Sequence, residues 1–447
     1  MTDVSDDRFI IADIKAREIL DSRGNPTVEV DVITKGGVQG RASVPSGASR
    51  GVHEAVEIRD GDYRFKGKGV LRAVKNVIEI IKPALIGIDV RNQYEIDMKL
   101  VELDGTPNKS KLGANAILAV SLAIAKAAAM ASSIPLYKYL APNREKYLMP
   151  IPFQNVINGG KHAGNELAIQ EFMIVPIGAN TFKEALRYCA EVYYTLRDLL
   201  LRKYGKNAIN VGDEGGFAPP LRFSQDALDL LVKSIEQSGY IPGKDLALAI
   251  DAAASEFFNE KSGTYTIDDR TLTPCDLRDY YVELVKTYPI ISIEDPFQQE
   301  DFEGFASLTK KIGDKVQIVG DDLFTTNPKR LEMGVRMGAC NALLLKVNQI
   351  GTLSEALITA KIAMKNDYAV MVSHRSGETE DTFIADLAVA LCTGQIKAGA
   401  PARGERTAKY NQLLRIEEEL GSRAIYPKGR LNHWKEFFTD LPILKGL

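Results

Sequence analysis

The stretch Ile290-Ile-Ser-Ile293, closed by Glu294, has the length of one buried strand and ends in a single carboxylate. Other runs share that form. Leu246-Ala-Leu-Ala-Ile250 ends at Asp251, Val316-Gln-Ile-Val-Gly320 at Asp321, Leu343-Leu-Leu345 at Lys346, and Ala369-Val-Met-Val-Ser373 at His374. Helix-patterned sequence separates most of them, which predicts parallel strands joined by helices. In a barrel of such strands the residue just past each strand faces one common mouth. Three acids, a lysine and a histidine should therefore meet in one active site, and the acids make it a metal site.

Upstream, candidate strands Ile151-Pro-Phe-Gln-Asn-Val-Ile157 and Glu171-Phe-Met-Ile-Val175, with helices over 182–203 and 224–238, extend the pattern back to Met149. The remaining length suits a barrel of about eight strands, since such barrels take ~250 residues. Before Met149 the texture differs. Thr27-Val-Glu-Val-Asp-Val-Ile33 alternates apolar and polar with period two, the mark of a half-solvated antiparallel strand. Asp21-Ser-Arg-Gly-Asn-Pro26 before it is dense in turn formers, and Gly36-Gly37 closes a hairpin into Val38-Gln-Gly-Arg-Ala-Ser-Val44. Helical patterns follow over 70–86, 93–103 and 113–132. Strands followed by helices make a small α+β domain. The expected fold is α/β: a (β/α)8-type barrel over 145–447 and an N-terminal α+β capping domain over 1–144, with Ala141-Pro-Asn-Arg-Glu-Lys146 as the linker.

At 447 residues the chain exceeds the size at which single cores stop growing, which also argues for two domains. Its 45% hydrophobic and 26% charged content is that of an ordinary globular protein. With 56 basic and 59 acidic residues the net charge is −3, a balance without the footprint of a nucleic-acid binder or a polybasic membrane patch. Cys189, Cys275, Cys340 and Cys392 show no paired spacing, which argues against disulfides or zinc and for a reducing, cytoplasmic compartment. The acidic start Met1-Thr-Asp-Val-Ser-Asp-Asp7 is the reverse of a signal peptide. The apolar stretch from Leu112 to Ala125 is too short to span a bilayer and is interrupted by Lys126, so it reads as a buried alanine-rich helix. No membrane insertion is expected.

Asp251, Glu294 and Asp321 are hard oxygen donors with no cysteine or histidine in matching positions, a set that suits Mg²⁺. A single strand-end acid also serves as a helix cap. Three on successive strands, with a lysine ending the next, favour the metal. Burial at the end of so apolar a run should lower the pKa of Lys346 toward that of a usable base. His374-Arg375-Ser376-Gly377-Glu378 offers a guanidinium, a hydroxyl and loop amides to a phosphate or carboxylate; taken alone, His374 reads equally well as a structural histidine. Val211-Gly-Asp-Glu-Gly-Gly-Phe217 and Asn158-Gly-Gly-Lys-His-Ala-Gly164 are glycine loops that let backbone approach a ligand. A plain Asx-turn explains either one separately. Together they bring Glu214, His162 and, shortly downstream, Glu171 toward the same site. Pro45-Ser-Gly-Ala-Ser-Arg-Gly51 has the small residues of a mobile lid and lacks the Gly-Lys-Ser/Thr ending of a Walker loop.

With these motifs assembled, the chain resembles the enolase family over essentially its whole length. The matching segments include Asp21-Ser-Arg-Gly-Asn-Pro-Thr27, Val44-Pro-Ser-Gly-Ala-Ser49, Gly212-Asp-Glu-Gly-Gly216, Ile293-Glu-Asp-Pro-Phe297, Leu344-Leu-Lys-Val-Asn-Gln-Ile-Gly351 and Val372-Ser-His-Arg-Ser-Gly-Glu-Thr-Glu-Asp381. The resemblance implies the enolase variant of the barrel and reversible dehydration of 2-phospho-D-glycerate to phosphoenolpyruvate, with two Mg²⁺ per active site. By matching positions, Asp251, Glu294 and Asp321 hold the first Mg²⁺, and Ser49 is the lid serine that helps hold the second beside the substrate. Lys346 resembles the general base and Glu214 the general acid, with Glu171 beside it. Two close carboxylates should raise one another's pKa so that one stays protonated. Gln170, His374, Arg375, Ser376 and Lys397 match substrate-contacting positions, and His162 an active-site position. Arg50 stands where many relatives carry threonine, a departure that removes no catalytic group.

The resemblance further implies a homo-oligomer, dimer or octamer, acting on a small phosphorylated substrate. Another acid-sugar dehydratase of the same superfamily is the nearest alternative. A secondary plasminogen-binding role at the cell surface is a reading of a different class. Such binding often uses a C-terminal lysine, and this chain ends Lys445-Gly-Leu447.

Overall fold

The computed structural model describes residues 6–48, 50–142, 144–432 and 437. Strands β1 (Ile11–Leu20), β2 (Pro26–Thr34) and β3 (Gln39–Ser43) form an antiparallel sheet in that order. The period-two reading of β2 is realised: Val28, Val30 and Val32 are fully buried. Sequence reasoning misses β1 because charges interrupt its pattern, and they are stable there through cross-strand partners such as Arg17 Nη1 on Glu29 Oε1 at 2.5 Å. Helix α1 (Gln93–Asp104) packs against α2 (Ala114–Ala131), which covers the sheet. By length and composition alone α2 could cross a membrane, but 89% of it is buried inside the protein. Its alanines let the sheet approach closely: a Cβ added at Gly40 of β3 would lie 2.3 Å from Ala127 N and 2.4 Å from Ala123 O.

The second unit is a closed barrel of β4 (Ile151–Asn158), β5 (Glu171–Val175), β6 (Ala247–Asp251), β7 (Ile290–Glu294), β8 (Gln317–Gly320), β9 (Ala342–Leu345), β10 (Ala369–Ser373) and β11 (Gln395–Lys397). Each strand pairs with its successor, and β11 returns to β4. The runs read from sequence are all present, and the pairs from β6 round to β4 are parallel. One strand departs from the expected direction. β5 is antiparallel to both β4 and β6, because the connection from Asn158 to Glu171 holds only a single 3-10 turn, Gly160–His162, and no crossover helix. Sequence reasoning also misses β11, which is too short to show a period. Long helices, including α3 (Phe182–Tyr204) and α4 (Ser224–Gln237), pack outside the barrel.

Polar contacts join the two units. Asp97 Oδ2 of α1 and Ser121 Oγ of α2 accept the N–H groups of Ser354 and Leu353 at 2.9 and 3.0 Å, capping α5 (Leu353–Lys365). Lys126, which seemed to interrupt an apolar helix, reaches Asp381 Oδ1 at 2.6 Å. The lid segment after β3 is fixed at its start, where Ser46 and Gly377 exchange backbone hydrogen bonds of 2.8 and 2.9 Å.

Candidate active site

The mouth is built by register. Glu294 lies opposite Asp251, Asp251 opposite Glu171, and Glu171 opposite Asn158, making one belt across β7, β6, β5 and β4. The reversal of β5 is what admits Glu171: it begins its strand, and only an antiparallel strand starts at this end. Asp321, Lys346 and His374 follow β8, β9 and β10, and Lys397 ends β11. Asp295, in a positive-φ turn after β7, accepts the N–H groups of Asp321 and Asp322 at 2.9 and 2.8 Å and so orients the Asp321 loop.

Asp251, Glu294 and Asp321 are all buried, and two lysines engage them. Lys397 Nζ lies 2.7 and 2.8 Å from the Glu294 oxygens, 3.1 Å from Asp251 Oδ2 and 3.2 Å from Glu171 Oε1. Lys346 Nζ lies 2.5 Å from Asp321 Oδ2, whose other oxygen accepts Gln349 Nε2–H at 2.8 Å. The expected drop in the Lys346 pKa is not found. Burial, the largest single influence, pushes the ammonium down, but Asp321 and Glu294 together with the other raising contacts outweigh it and the net shift is upward. Burial and the neighbouring Asp251 push Glu294 well above the ordinary carboxylate range.

Among the described residues, the acid and histidine groups whose ligand atoms all lie within 4.8 Å are His162–Glu171–Glu214 and Asp295–Asp321–Asp322. Asp251, Glu294 and Asp321 do not close into such a group, each being held by Lys397 or Lys346 instead. Their chemistry still fits a hard divalent cation, since they are buried oxygen donors on three adjacent strands with bound ammonium groups already marking the need for positive charge.

His162 Nδ1 stands 3.7 Å from both Glu171 Oε1 and Glu214 Oε1. Asn155 of β4 donates to Glu214 Oε2 at 3.1 Å, and His374 Nε2 lies 3.3 Å from Glu214 Oε1. The two carboxyl groups do not both rise, as their proximity alone would have it, but are pushed in opposite directions. Burial and the adjacent Glu214 push Glu171 well up. Burial would raise Glu214 too, yet His374, His162 and Arg406 outweigh it and leave it low. Burial lowers His162 and takes His374 down to about 4.

The remaining corner is suited to an anion. Arg375 Nη1 and Nη2 grip both oxygens of Glu54 at 3.0 and 3.1 Å, and Asn348 Oδ1 accepts from Nη1 at 3.1 Å. Ser376 Oγ accepts the Ala48 N–H at 2.7 Å, and Glu54 accepts that of Gly51 at 3.1 Å, so the lid segment contacts Ser376 directly and reaches Arg375 through Glu54. A small cavity is lined by Gly47, His162, Gln170, Glu171, Glu214, Asp251, Lys346, Ser373, His374, Arg375, Ser376 and Lys397. Glu294 and Asp321 reach that wall through the two lysines. Ser49 lies outside the described residues. Arg50 turns away from the cavity, with Nη2 2.5 Å from Glu57 Oε2 and 3.3 Å from Ser46 Oγ. Sequence reasoning passes over Glu54, Asn155, Asp295, Gln349 and Arg406. Asp295 and Gln349 sit inside quoted motifs and Asn155 inside a quoted strand, so only their partners were hidden.

Fold and site together define a capped barrel enzyme that binds a small anion beside an acid–lysine cluster able to take a metal. Two family models match the chain, "Enolase, N-terminal domain" over residues 11–140 and "Enolase, C-terminal TIM barrel domain" over residues 146–434. An enolase of Methanocaldococcus jannaschii is 64% identical over 93% of this chain and 97% of its own length. Enolases of Pyrococcus furiosus and Thermococcus gammatolerans are 62% and 61% identical, covering 96% and 95% of this chain and 99% and 98% of theirs. The chain belongs to the enolase family. It is a lyase of glycolysis, and the family implies a metal cofactor.

Proposed function

We propose that this enolase interconverts 2-phospho-D-glycerate and phosphoenolpyruvate by proton abstraction at Lys346 and loss of hydroxide assisted by the Glu171–Glu214 pair. The observation that carries the reading is one cavity wall holding Lys346, Lys397, Arg375 and that pair. Arg375, Ser376, Gln170, His374 and Lys397 hold the phosphate and carboxylate of the substrate by charge and hydrogen bonding. Lys346 takes the proton next to the carboxylate. It can do so only once Asp321 is committed to another cation, because the largest raising influence is then removed and burial lowers its pKa. On the other side Glu171 stores the proton and Glu214 delivers it to the leaving hydroxide. Asp251, Glu294 and Asp321 would hold one Mg²⁺, and Ser49 would help hold a second. When bound, these ions would stabilise the additional negative charge that develops on the substrate carboxylate.

The same reading places a boundary between a capping unit, 1–144, and the barrel, 145–447, and has the enzyme act as a cytoplasmic homo-oligomer. The test follows phosphoenolpyruvate formation with Mg²⁺, with EDTA, and in Lys346→Ala. Turnover that needs Mg²⁺ and disappears in the variant is the expected result. Turnover surviving in Lys346→Ala would remove the lysine from the base role. Absence of turnover in folded, Mg²⁺-saturated wild type would refute the reaction for this chain.

A further inference from the structure

Arg406, in the first turn of the helix Gly404–Leu420, is fully buried. Its stem lies against Gly399, where an added Cβ would come 2.8 Å from the arginine Cδ. Nη1 is 2.6 Å from His374 Nδ1 and donates to Arg375 O at 2.6 Å; Nη2 donates to Ser376 O at 2.6 Å and to Asp213 O at 3.0 Å. One guanidinium thus ties the loop carrying His374 to the loop carrying Glu214.

A guanidinium donates only and stays charged in proteins. The ring nitrogen facing it must therefore be the acceptor, which leaves the proton of a neutral His374 on Nε2, 3.3 Å from Glu214 Oε1. We propose that Arg406 is a positioning residue that fixes the His374 proton on Nε2, which here faces Glu214 without a hydrogen bond to it, so that this histidine is held ready to donate toward Glu214 and is not a proton shuttle. A second proton on Nδ1 would set ring N–H against arginine N–H. The charged groups near the ring are Glu214 across the cavity, Glu378 on its own loop, Arg406, and Lys397 on the adjacent strand, whose backbone carbonyl accepts the His374 N–H at 2.9 Å. The consequence for turnover rests on the proposed mechanism; the place of the proton does not.

The test is histidine-selective ¹⁵N labelling of the full chain, which has only 4 histidines, with His374 identified by loss of its signals in His374→Gln. Ring ¹⁵N shifts separate a lone-pair nitrogen from an N–H. Wild type should show a lone pair on Nδ1 and a proton on Nε2 from about pH 8 to about pH 5, across the ordinary histidine range. Arg406→Met should abolish that preference and restore titration within the range. Arg406→Lys should be intermediate, lowering kcat about tenfold, less than loss of an acid outright, and adding little in a His374→Gln background. A wild-type Nδ1–H, or an Arg406→Lys ring indistinguishable from wild type, would overturn the proposal. Should Arg406→Met not fold, those two spectra still decide. Failure here leaves Lys346 as the base, whereas failure of the Lys346→Ala assay leaves the ring proton where it is.

Discussion

The barrel mouth and the joint between α2 and the capping sheet are both buried, yet they are made of opposite materials. The joint is alanine against glycine, with Gly40 so close to Ala123 and Ala127 that there is no room for one methyl. The mouth gathers Glu171, Asp251, Glu294 and Asp321 around two ammonium groups. Close apolar packing stabilises a fold directly. Buried ion clusters do so poorly, because desolvation offsets most of the attraction. The mouth therefore reads as a region kept for chemistry at the expense of stability, and the joint as one that supplies stability. Substitutions in the two regions should then separate turnover from folding.

The largest effect is expected at Lys397, which touches Asp251, Glu294 and Glu171. Lys397→Met should lower turnover by roughly 10²–10³-fold. It should also destabilise the metal-free protein by about 3–5 kcal/mol, the usual consequence of leaving buried charge unpaired. Added Mg²⁺ should then raise the melting temperature of the variant more than that of wild type. An unchanged metal-free melting temperature would mean that the mouth acids are already neutral and that the contrast with the joint is overdrawn.

Next in size is Gly40→Ala. The new methyl would meet backbone atoms of Ala123 and Ala127, which cannot swing aside as a side chain could. Chemical denaturation should show a loss of about 1–3 kcal/mol, with kcat per folded molecule unchanged. A drop in kcat at full folding would show that the joint controls the lid segment that follows β3 as well as the stability of the sheet.

What was legible in the sequence follows the same division. Parallel strands buried on both faces read as continuous apolar runs, so Ile290–Glu294 and its neighbours, and the groups that end them, stood out. Lys397 stood out only through the family resemblance, because its strand has only three residues. The reversal of β5 lies in the short connection from Asn158 to Glu171, which leaves no room for a crossover helix. The upward shift at Lys346 depends on a partner distant in sequence, Asp321 on the preceding strand end, which no local pattern encodes. Arg406 was invisible for the same reason: in sequence it is one arginine on a polar helix, and only folding brings it to His374.

The smallest effect tests the rim of the capping sheet, where charge serves stability. Asp31 of β2 is hydrogen-bonded by Arg41 Nε at 2.6 Å and by Arg17. Burial pushes its carboxyl up, but the two arginines outweigh burial and bring it from 3.8 down to about 2. Because the folded value lies below the unfolded one, the folded state is favoured wherever the group is ionised. That contribution is complete above the unfolded value and is lost as pH falls through the folded one. Both arginines are at least a third exposed, so solvent screening holds it to about 1 kcal/mol or less. Asp31→Asn should melt below wild type at neutral pH, and the gap should close as pH approaches 2. A gap that stays constant over that range would assign the loss to packing, and charge would then stabilise neither the rim nor the mouth.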